Sequence, residues 1–265
     1  MRLDSAQLLG AGALLLFALM PAVVSPWIAG DFGIYFVYAI FASSLAFLWG
    51  HAGLLSLGHA VYFGIGAYAM SLVTLGKVPG LPGLVSTWIG ILAAVALAGA
   101  IAWVAGMLFF GGRRPLRGAF LGIVTLALAV VIERLAINSS YLGGMNGLMN
   151  VPPITLGANG SGPEISDPLA IYYVMLALLT ATGLLMLAIE RTRFGMSLAA
   201  IRENELRAAT LGHNATRLKV LAFTLSGAIA GLAGALFVVQ FSFASPSLIG
   251  FGLSADVLIW VALGG

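Results

Sequence analysis

Histidine can act as an acid, a base or a metal ligand near neutral pH, and this sequence contains three: His51, His59 and His213. No cysteine or carboxylate lies near them in sequence to complete a ligand set, so we expect no metal site. Ser56 precedes His59 by one helical turn and offers the one conceivable start of a nucleophile and base pair. A histidine that is hydrogen-bonded between helices is the simpler interpretation.

The familiar signatures of enzymes are missing from this sequence. It contains no Walker A stretch, no Gly-x-Ser-x-Gly elbow and no His-Glu-x-x-His motif. It also contains no cysteine, which excludes disulfides, thiol catalysis and cysteine-ligated metals. We therefore expect no catalytic residues and no cofactor bound by this chain.

Two adjacent charges, Glu133 and Arg134, interrupt a long apolar run. A central charge in a membrane helix costs about 2.5–3.5 kcal/mol on insertion scales, so the pair needs an explanation. One explanation is an interfacial pair that reaches water or a neighbouring charge. The other is a pair that faces a pathway, where a zwitterionic solute would find one charge of each sign. Asn146 is a weaker candidate of the same kind.

The elements that carry these residues follow from the composition. The 265 residues are 61% hydrophobic and 8% charged, whereas soluble domains carry about 25% charged residues. Apolar runs near the 20 residues that cross a bilayer recur along the chain. They predict a single all-α, polytopic transmembrane helical bundle over residues 1–265, with about seven full spans: residues 8–25, 32–49, 59–76, 84–110, 119–138, 169–189 and 218–243. An eighth begins near Ser254 and ends after about half the required length, so we expect a truncated C-terminus.

The basic residues predict the orientation of these spans. Lysine and arginine concentrate in two connections that two spans separate, and the positive-inside rule places both in the cytoplasm. They are Arg113, Arg114 and Arg117 in the first, and Arg191, Arg193, Arg202, Arg207, Arg217 and Lys219 in the second. Arg2 then falls inside, Lys77 falls outside, and residues 139–168, which contain no lysine or arginine, form an external loop. This placement beside apolar segments also argues against nucleic-acid binding.

Residues 50–59 contain three glycines and two histidines and break the hydrophobic pattern between two spans. They form either a cytoplasmic turn or a re-entrant, broken helix at membrane depth. The second structure is tolerated only where protein or a water-filled cavity covers the irregular backbone. Together with the charged candidates, the proposed pathway residues are Ser56, Gly58, His59, Glu133 and Asn146.

Small residues at four-residue spacing predict closely packed helices. Ala60 with Gly64 and Gly227 with Gly231 and Ala235 follow this spacing, which lets helix backbones approach each other. The pattern indicates a compact bundle or a subunit interface and says nothing about a solute.

Residues 190–219 form a connection that reads as a short amphipathic helix between two spans. At 100° per residue, one arc holds Leu198, Ile201, Ala208 and Ala209, and Glu203 and Arg207 lie opposite it. Glu205 falls close to the apolar arc, so the segregation is imperfect. A helix that docks on a partner and a helix that lies on the membrane surface both fit this pattern.

The run of residues 202–212, Arg-Glu-Asn-Glu-Leu-Arg-Ala-Ala-Thr-Leu-Gly, followed by Thr-Arg-Leu-Lys-Val-Leu-Ala-Phe at 216–223, resembles the cytoplasmic loop of bacterial branched-chain amino-acid ABC transporter permeases. Residues 53–68, 143–148 and 230–236 and the pair Ser245 and Pro246 extend the likeness from about residue 35 onward. Two departures are visible. Leu206 and Arg207 interrupt the Glu-Ala-Ala-like stretch, and Glu133 and Arg134 are adjacent where family members often space such residues by three.

The resemblance implies a permease subunit of an ATP-driven importer in a bacterial inner (plasma) membrane. Its solutes would be branched-chain amino acids or related small polar solutes such as urea, amides and aromatic acids. The implied partners are two cytoplasmic ABC ATPases that bind ATP and Mg, a second homologous permease, an extracytoplasmic solute-binding protein and membrane lipid. The implied coupling residues are Arg202, Glu203, Glu205, Arg207, Ala208, Ala209 and Gly212. The alternative is an ion- or proton-coupled secondary transporter, for which Glu133 and Asp256 are the candidate acids.

Overall fold

The computed structural model describes residues 5–80, 85–112, 115–155, 163–165 and 167–264, without the side chains of residues 5–9 and 11. The described helices are α1 Ser5–Leu19, α2 Pro26–Asp31, α3 Gly33–Ala52, α4 Ala60–Thr74, α5 Thr87–Phe110, α6 Gly118–Asn138, α7 Pro168–Glu190, α8 Arg193–Glu203, α9 Glu205–Thr210, α10 Ala215–Phe241 and α11 Phe251–Gly264. Two short strands of two residues each, β1 Ile154–Thr155 and β2 Glu164–Ile165, pair antiparallel in the predicted external loop. Arg2, Arg113 and Arg114 of the charge pattern lie outside the described residues.

The predicted all-α helical bundle is confirmed. Six helical stretches in the described part of the chain are long and apolar enough to cross a membrane. They are Pro26–Ala52, Thr87–Phe110, Gly118–Asn138, Pro168–Glu190, Ala215–Phe241 and Pro246–Gly264. The last of these, predicted to be about half a span, runs for 19 residues because the turn before α11 extends it.

The predicted first and third spans are shorter than expected, because α1 and α4 have 15 residues each. A 3-10 turn that contains Pro21 follows α1, since proline cannot continue the helical hydrogen bonding. α4 begins after an irregular segment and ends before Gly76, whose φ of 62° lies in the left-handed region. Local backbone chemistry therefore shortened two segments whose hydropathy alone suggested full spans.

The centre of the bundle is α10, which packs against α3, α4 and α5. Its small residues let the neighbouring helices approach closely, as their spacing predicted. A Cβ atom added at Gly231 would lie 2.8 Å from the carbonyl oxygen of Ala94 on α5. On the other side, a Cβ added at Gly66 of α4 would lie 2.5 Å from the Cα atom of Gly231. Both approaches are closer than ordinary van der Waals contact, so glycine is required here.

The connections between helices gather at two ends of the bundle. At one end, Arg117 contacts Glu205, so the two basic connections share a side, in agreement with the charge pattern. At the other end, the hydroxyl of Tyr141 donates to the carbonyl of Lys77, and Leu148 pairs with Ala244 in an isolated bridge. The connections therefore alternate between the ends as a polytopic topology requires.

Candidate functional site

The irregular segment between α3 and α4 turns back into the bundle. α3 ends at Gly53, which has a φ of 66°, and His59 then lies beside Ser44. Ser44 is eight residues before Ala52, which places His59 about 12 Å back along the axis of α3. The structure therefore favours the broken-helix interpretation of this segment over an exposed turn.

Protein covers the backbone of this segment, as an irregular stretch in a membrane protein requires. The N–H of Leu57 donates to Oγ1 of Thr125 on α6 at 3.0 Å. A Cβ added at Gly58 would lie 2.6 Å from the carbonyl carbon of Thr125 and nearer still to its oxygen. The glycine therefore allows the segment to pack directly on the α6 backbone.

His59 joins three helices through a buried polar cluster. Its Nε2 atom lies 2.9 Å from Oγ of Ser44 on α3 and 3.3 Å from Oγ of Ser226 on α10. Both hydroxyl protons are used elsewhere, because Ser44 donates to the carbonyl of Phe41 and Ser226 donates to that of Ser44. Nε2 therefore carries the proton, and Nδ1 is an acceptor without a partner among the described groups.

The structure brings three of the predicted pathway residues together. Ser56, Gly58 and His59 lie in the buried break, and the hydroxyl of Ser56 has no described partner. Glu133 is half-buried, while Asn146 is exposed in a 3-10 turn. The pathway role of these five residues remains a prediction.

A second break, residues 242–250, packs against α4 and α6, and our sequence reasoning did not identify it. Oγ of Ser254 accepts the N–H of Ala60 at 3.1 Å, just after this break. A Cβ added at Gly250 would lie 2.7 Å from Oε1 of Glu133, so that carboxylate packs against the second break. The signals in the sequence were Ser245-Pro246 and the following Gly250, a turn-forming combination.

The sequence predicted one amphipathic helix in the connection of residues 190–219, and the structure corrects this prediction. The connection contains two helices, α8 and α9. Asn204 between them has an extended backbone, and its side chain accepts the N–H of Arg207 at 3.0 Å. Leu198, Ile201 and Ala208 of the predicted apolar arc are buried within the chain, whereas Ala209 is exposed. The extended Asn204 interrupts the helical periodicity, so a single arc drawn through both helices misplaced Ala209.

An exposed apolar surface remains on α9 and the turn that follows it. The side chains of Leu206 and Leu211 are 75% and 73% exposed, and Arg207 and Ala209 lie between them in sequence. Gly212, with a φ of 88°, ends this stretch. We call Leu206, Arg207, Ala209 and Leu211 the α9 surface. Both leucines lie at the end of the bundle where the basic connections meet.

The acidic side chain at the start of α9 points inward. Glu205 accepts from Nζ of Lys219 at 2.9 Å and from Nη2 of Arg117 at 3.2 Å. The Lys219 side chain is 7% exposed, whereas the Glu203 side chain is exposed. The residues predicted together for coupling therefore divide into an inward-facing group and an outward-facing group.

Two further contacts tie this connection to the end of α3. The Arg202 guanidinium donates to the carbonyl of Gly50, and Nε2 of His51 lies 3.1 Å from Oε1 of Glu190. The end of α3, the end of α7 and α8 therefore form one contiguous group beside the buried break.

The family described as the permease component of the branched-chain amino acid transport system matches residues 32–265. The high-affinity branched-chain amino acid transport system permease protein LivM of Salmonella typhimurium is 33% identical over 249 residues, 86% of this chain and 56% of the relative. The ribose import permease protein RbsC of Escherichia coli is 28% identical over 181 residues, 68% and 53% of the two chains. The autoinducer 2 import system permease protein LsrC of Klebsiella pneumoniae is 33% identical over 157 residues, 57% and 44%.

The chain spans about half the length of these curated relatives. No solved structure matches it. The family match covers both broken segments and the whole connection that carries α8 and α9, and the six long apolar helices agree with it. The chain is therefore a multi-pass membrane protein that belongs to the branched-chain amino acid transport system permease family.

Proposed function

We propose that this chain is a permease subunit of an ABC importer in a bacterial inner membrane. The observation that carries the proposal is the α9 surface, which exposes two leucines at the end of the bundle where the basic connections meet. An exposed surface at the end of the bundle that carries the basic connections is placed where a cytoplasmic partner would dock. The family match over residues 32–265 supports the same function.

The partner on the α9 surface is an ATPase subunit, one of two that bind ATP and Mg. The family match over residues 32–265 supports an ATPase in a separate subunit as the energy source. A second, homologous permease completes the membrane unit, and an extracytoplasmic binding protein delivers the solute. ATP binding moves the ATPases, and the connection of residues 190–219 transmits that movement to the membrane helices.

The solutes are branched-chain amino acids or related small polar molecules. The family description and the LivM relative, which is aligned with 86% of the chain, favour branched-chain amino acids. The names of other relatives refer to ribose and autoinducer 2, so the fold by itself does not fix the solute. Glu133 beside the second break gives a carboxylate that suits the amino group of such a solute.

Reconstitution of the assembled importer in vesicles tests this function. We expect leucine uptake to require ATP and the binding protein and to persist when an uncoupler removes the proton gradient. Uptake that an uncoupler abolishes, without a need for ATP, would instead identify the ion-coupled secondary transporter. Competition by valine, urea, short amides and aromatic acids would then define the solute class.

A substitution on the α9 surface tests the docking site directly. Leu211→Asp places a charge on a side chain that is 73% exposed, so the fold of the permease should be unaffected. We expect it to abolish most of the solute-stimulated ATP hydrolysis, because it puts an uncompensated charge in an apolar interface. Leu211→Met is the matched control and should retain the activity. Equal activity of both variants would remove the α9 surface from the interface.

A further inference from the structure

The position of Glu205 separates it from the surface that would meet an ATPase. Its carboxylate is bonded to Lys219 on one side and to Arg117 on the other, and its side chain is 23% exposed. Leu206, the next residue, is 75% exposed and faces outward. Glu205 therefore uses its charge within the permease, which also explains why it falls near the apolar arc of the connection.

The environment of Lys219 makes this pair specific. Its ammonium is surrounded by the bundle, with the ring of Phe110 at 6.0 Å and Oε1 of Glu205 at 2.9 Å. Among the described residues, Glu205 is the one carboxylate within ion-pair distance of it. A buried ammonium without its partner is strongly unfavourable, so the pair should persist whenever α9 is in place. Arg117, 59% exposed, adds a weaker contact that water screens.

The pair joins α9 to the helix at the centre of the bundle. Lys219 lies in the first turns of α10, and Ser226, about two turns further, belongs to the His59 cluster. A displacement of α9 therefore reaches α10 through one buried ion pair and then reaches the first break through packed side chains.

We propose that Glu205 is a positioning residue that fixes α9 to the base of α10 and does not itself contact the ATPase. This inference rests on the proposed function. The contact with the ATPase is made by the α9 surface, and the Glu205–Lys219 pair holds that surface in the orientation that transmits the movement. The pair is thus the joint between the docking site and the membrane helices.

A double-mutant cycle in the reconstituted importer distinguishes a joint from a direct contact. Lys219 is too deeply buried to touch an ATPase, so a defect in Lys219→Met reports on the joint. We expect Glu205→Gln and Lys219→Met each to lower the solute imported per ATP by about fivefold or more, and the double variant to be no worse than either. Glu190→Gln, which breaks the half-exposed pair with His51 at the same end, is the matched control and should change the ratio by less than about twofold.

Either of two results would overturn the inference. The first is normal coupling in Lys219→Met beside defective coupling in Glu205→Gln. The second is a double variant whose loss equals the product of the single losses, because independent sites behave additively. Failure of the proposed function gives a different pattern, in which Leu211→Asp also leaves ATP hydrolysis unchanged.

A spin label gives a second measurement that does not require Glu205→Gln or Lys219→Met to fold. Residues 1–265 contain no cysteine, so Thr210→Cys at the end of α9 adds the one labelling site among them. We expect the label in the assembled importer to keep its mobility in about 1 M salt, since buried pairs are screened far less than exposed ones. A label that loosens as salt rises while the ATPases stay bound would show that a surface interaction holds α9, and the inference would be wrong.

Discussion

Gly58→Ala tests how closely the backbone of the first break packs against α6. The added Cβ would lie 2.6 Å from the carbonyl carbon of Thr125 and 3.1 Å from the Cβ atom of Ala129. Ordinary contacts between two carbon atoms begin at about 3.5 Å, so the first break or α6 must move by about 1 Å or more. The obstacle is helix backbone, which cannot rotate away as a flexible side chain could.

The cost follows from overpacking and from one hydrogen bond. Overpacking a well-packed interior costs about 1–3 kcal/mol. The same shift would lengthen the bond from the N–H of Leu57 to Oγ1 of Thr125, which contributes about 1 kcal/mol. We therefore expect Gly58→Ala to lower the free energy of unfolding by about 2–4 kcal/mol. Solute uptake should fall as well, because His59 follows directly in the displaced segment.

The assay is thermal unfolding of the purified permease in nanodiscs, followed by uptake in the assembled importer. Gly50→Ala is the matched control, since Gly50 lies in α3 with nothing within 4 Å of an added Cβ. That substitution should stabilise the helix by about 0.5–1 kcal/mol. If Gly58→Ala unfolds at the wild-type temperature and transports normally, the break does not pack on α6 as described.

Two further substitutions test the centre of the bundle in the same unfolding assay. Gly234→Ala would place a Cβ 2.8 Å from the carbonyl carbon of Phe63 and should destabilise the permease by about 1–3 kcal/mol. Gly183→Ala is the control and should not destabilise the permease, because no atom lies within 4 Å of a Cβ added at Gly183. Ser44→Ala removes the closer acceptor of the His59 Nε2–H and should cost about 1 kcal/mol. Unchanged stability in Gly234→Ala, or a gain in Ser44→Ala, would contradict these contacts.

Most of the architecture could be predicted from the sequence, because the free energy of transferring a segment into a bilayer depends mainly on the residues of that segment. In the part of the chain that the structure describes, the apolar runs located the six membrane-length helices and the two shorter apolar ones. The basic residues predicted which connections share an end. The two shortened helices were misjudged because hydropathy does not register where Pro21 or Gly76 ends hydrogen bonding. The small-residue spacing on α10 predicted close packing, but not which helix lies opposite each glycine.

The candidate sites were predicted less completely. The charged connection of residues 190–219 was identified as the outstanding polar element, but three residues of its predicted docking arc are buried within the chain instead. The direction of Glu205 could not be predicted, because it depends on Lys219 and Arg117, which reach it from two other segments. The second break was not identified for a similar reason, since its partners are Gly64 and Glu133, far away in sequence.

By itself the sequence determined that this chain crosses a membrane, which end of the bundle carries the basic connections, and where one polar element stands out from the apolar helices. Those properties depend on the hydrophobicity and charge of each segment and on whether water or lipid surrounds it. The tertiary structure alone decided that the first break descends beside Ser44 and that Glu205 faces a buried lysine. Such outcomes depend on contacts between residues far apart in the chain, because a buried polar group is stable only where a distant segment supplies its partner.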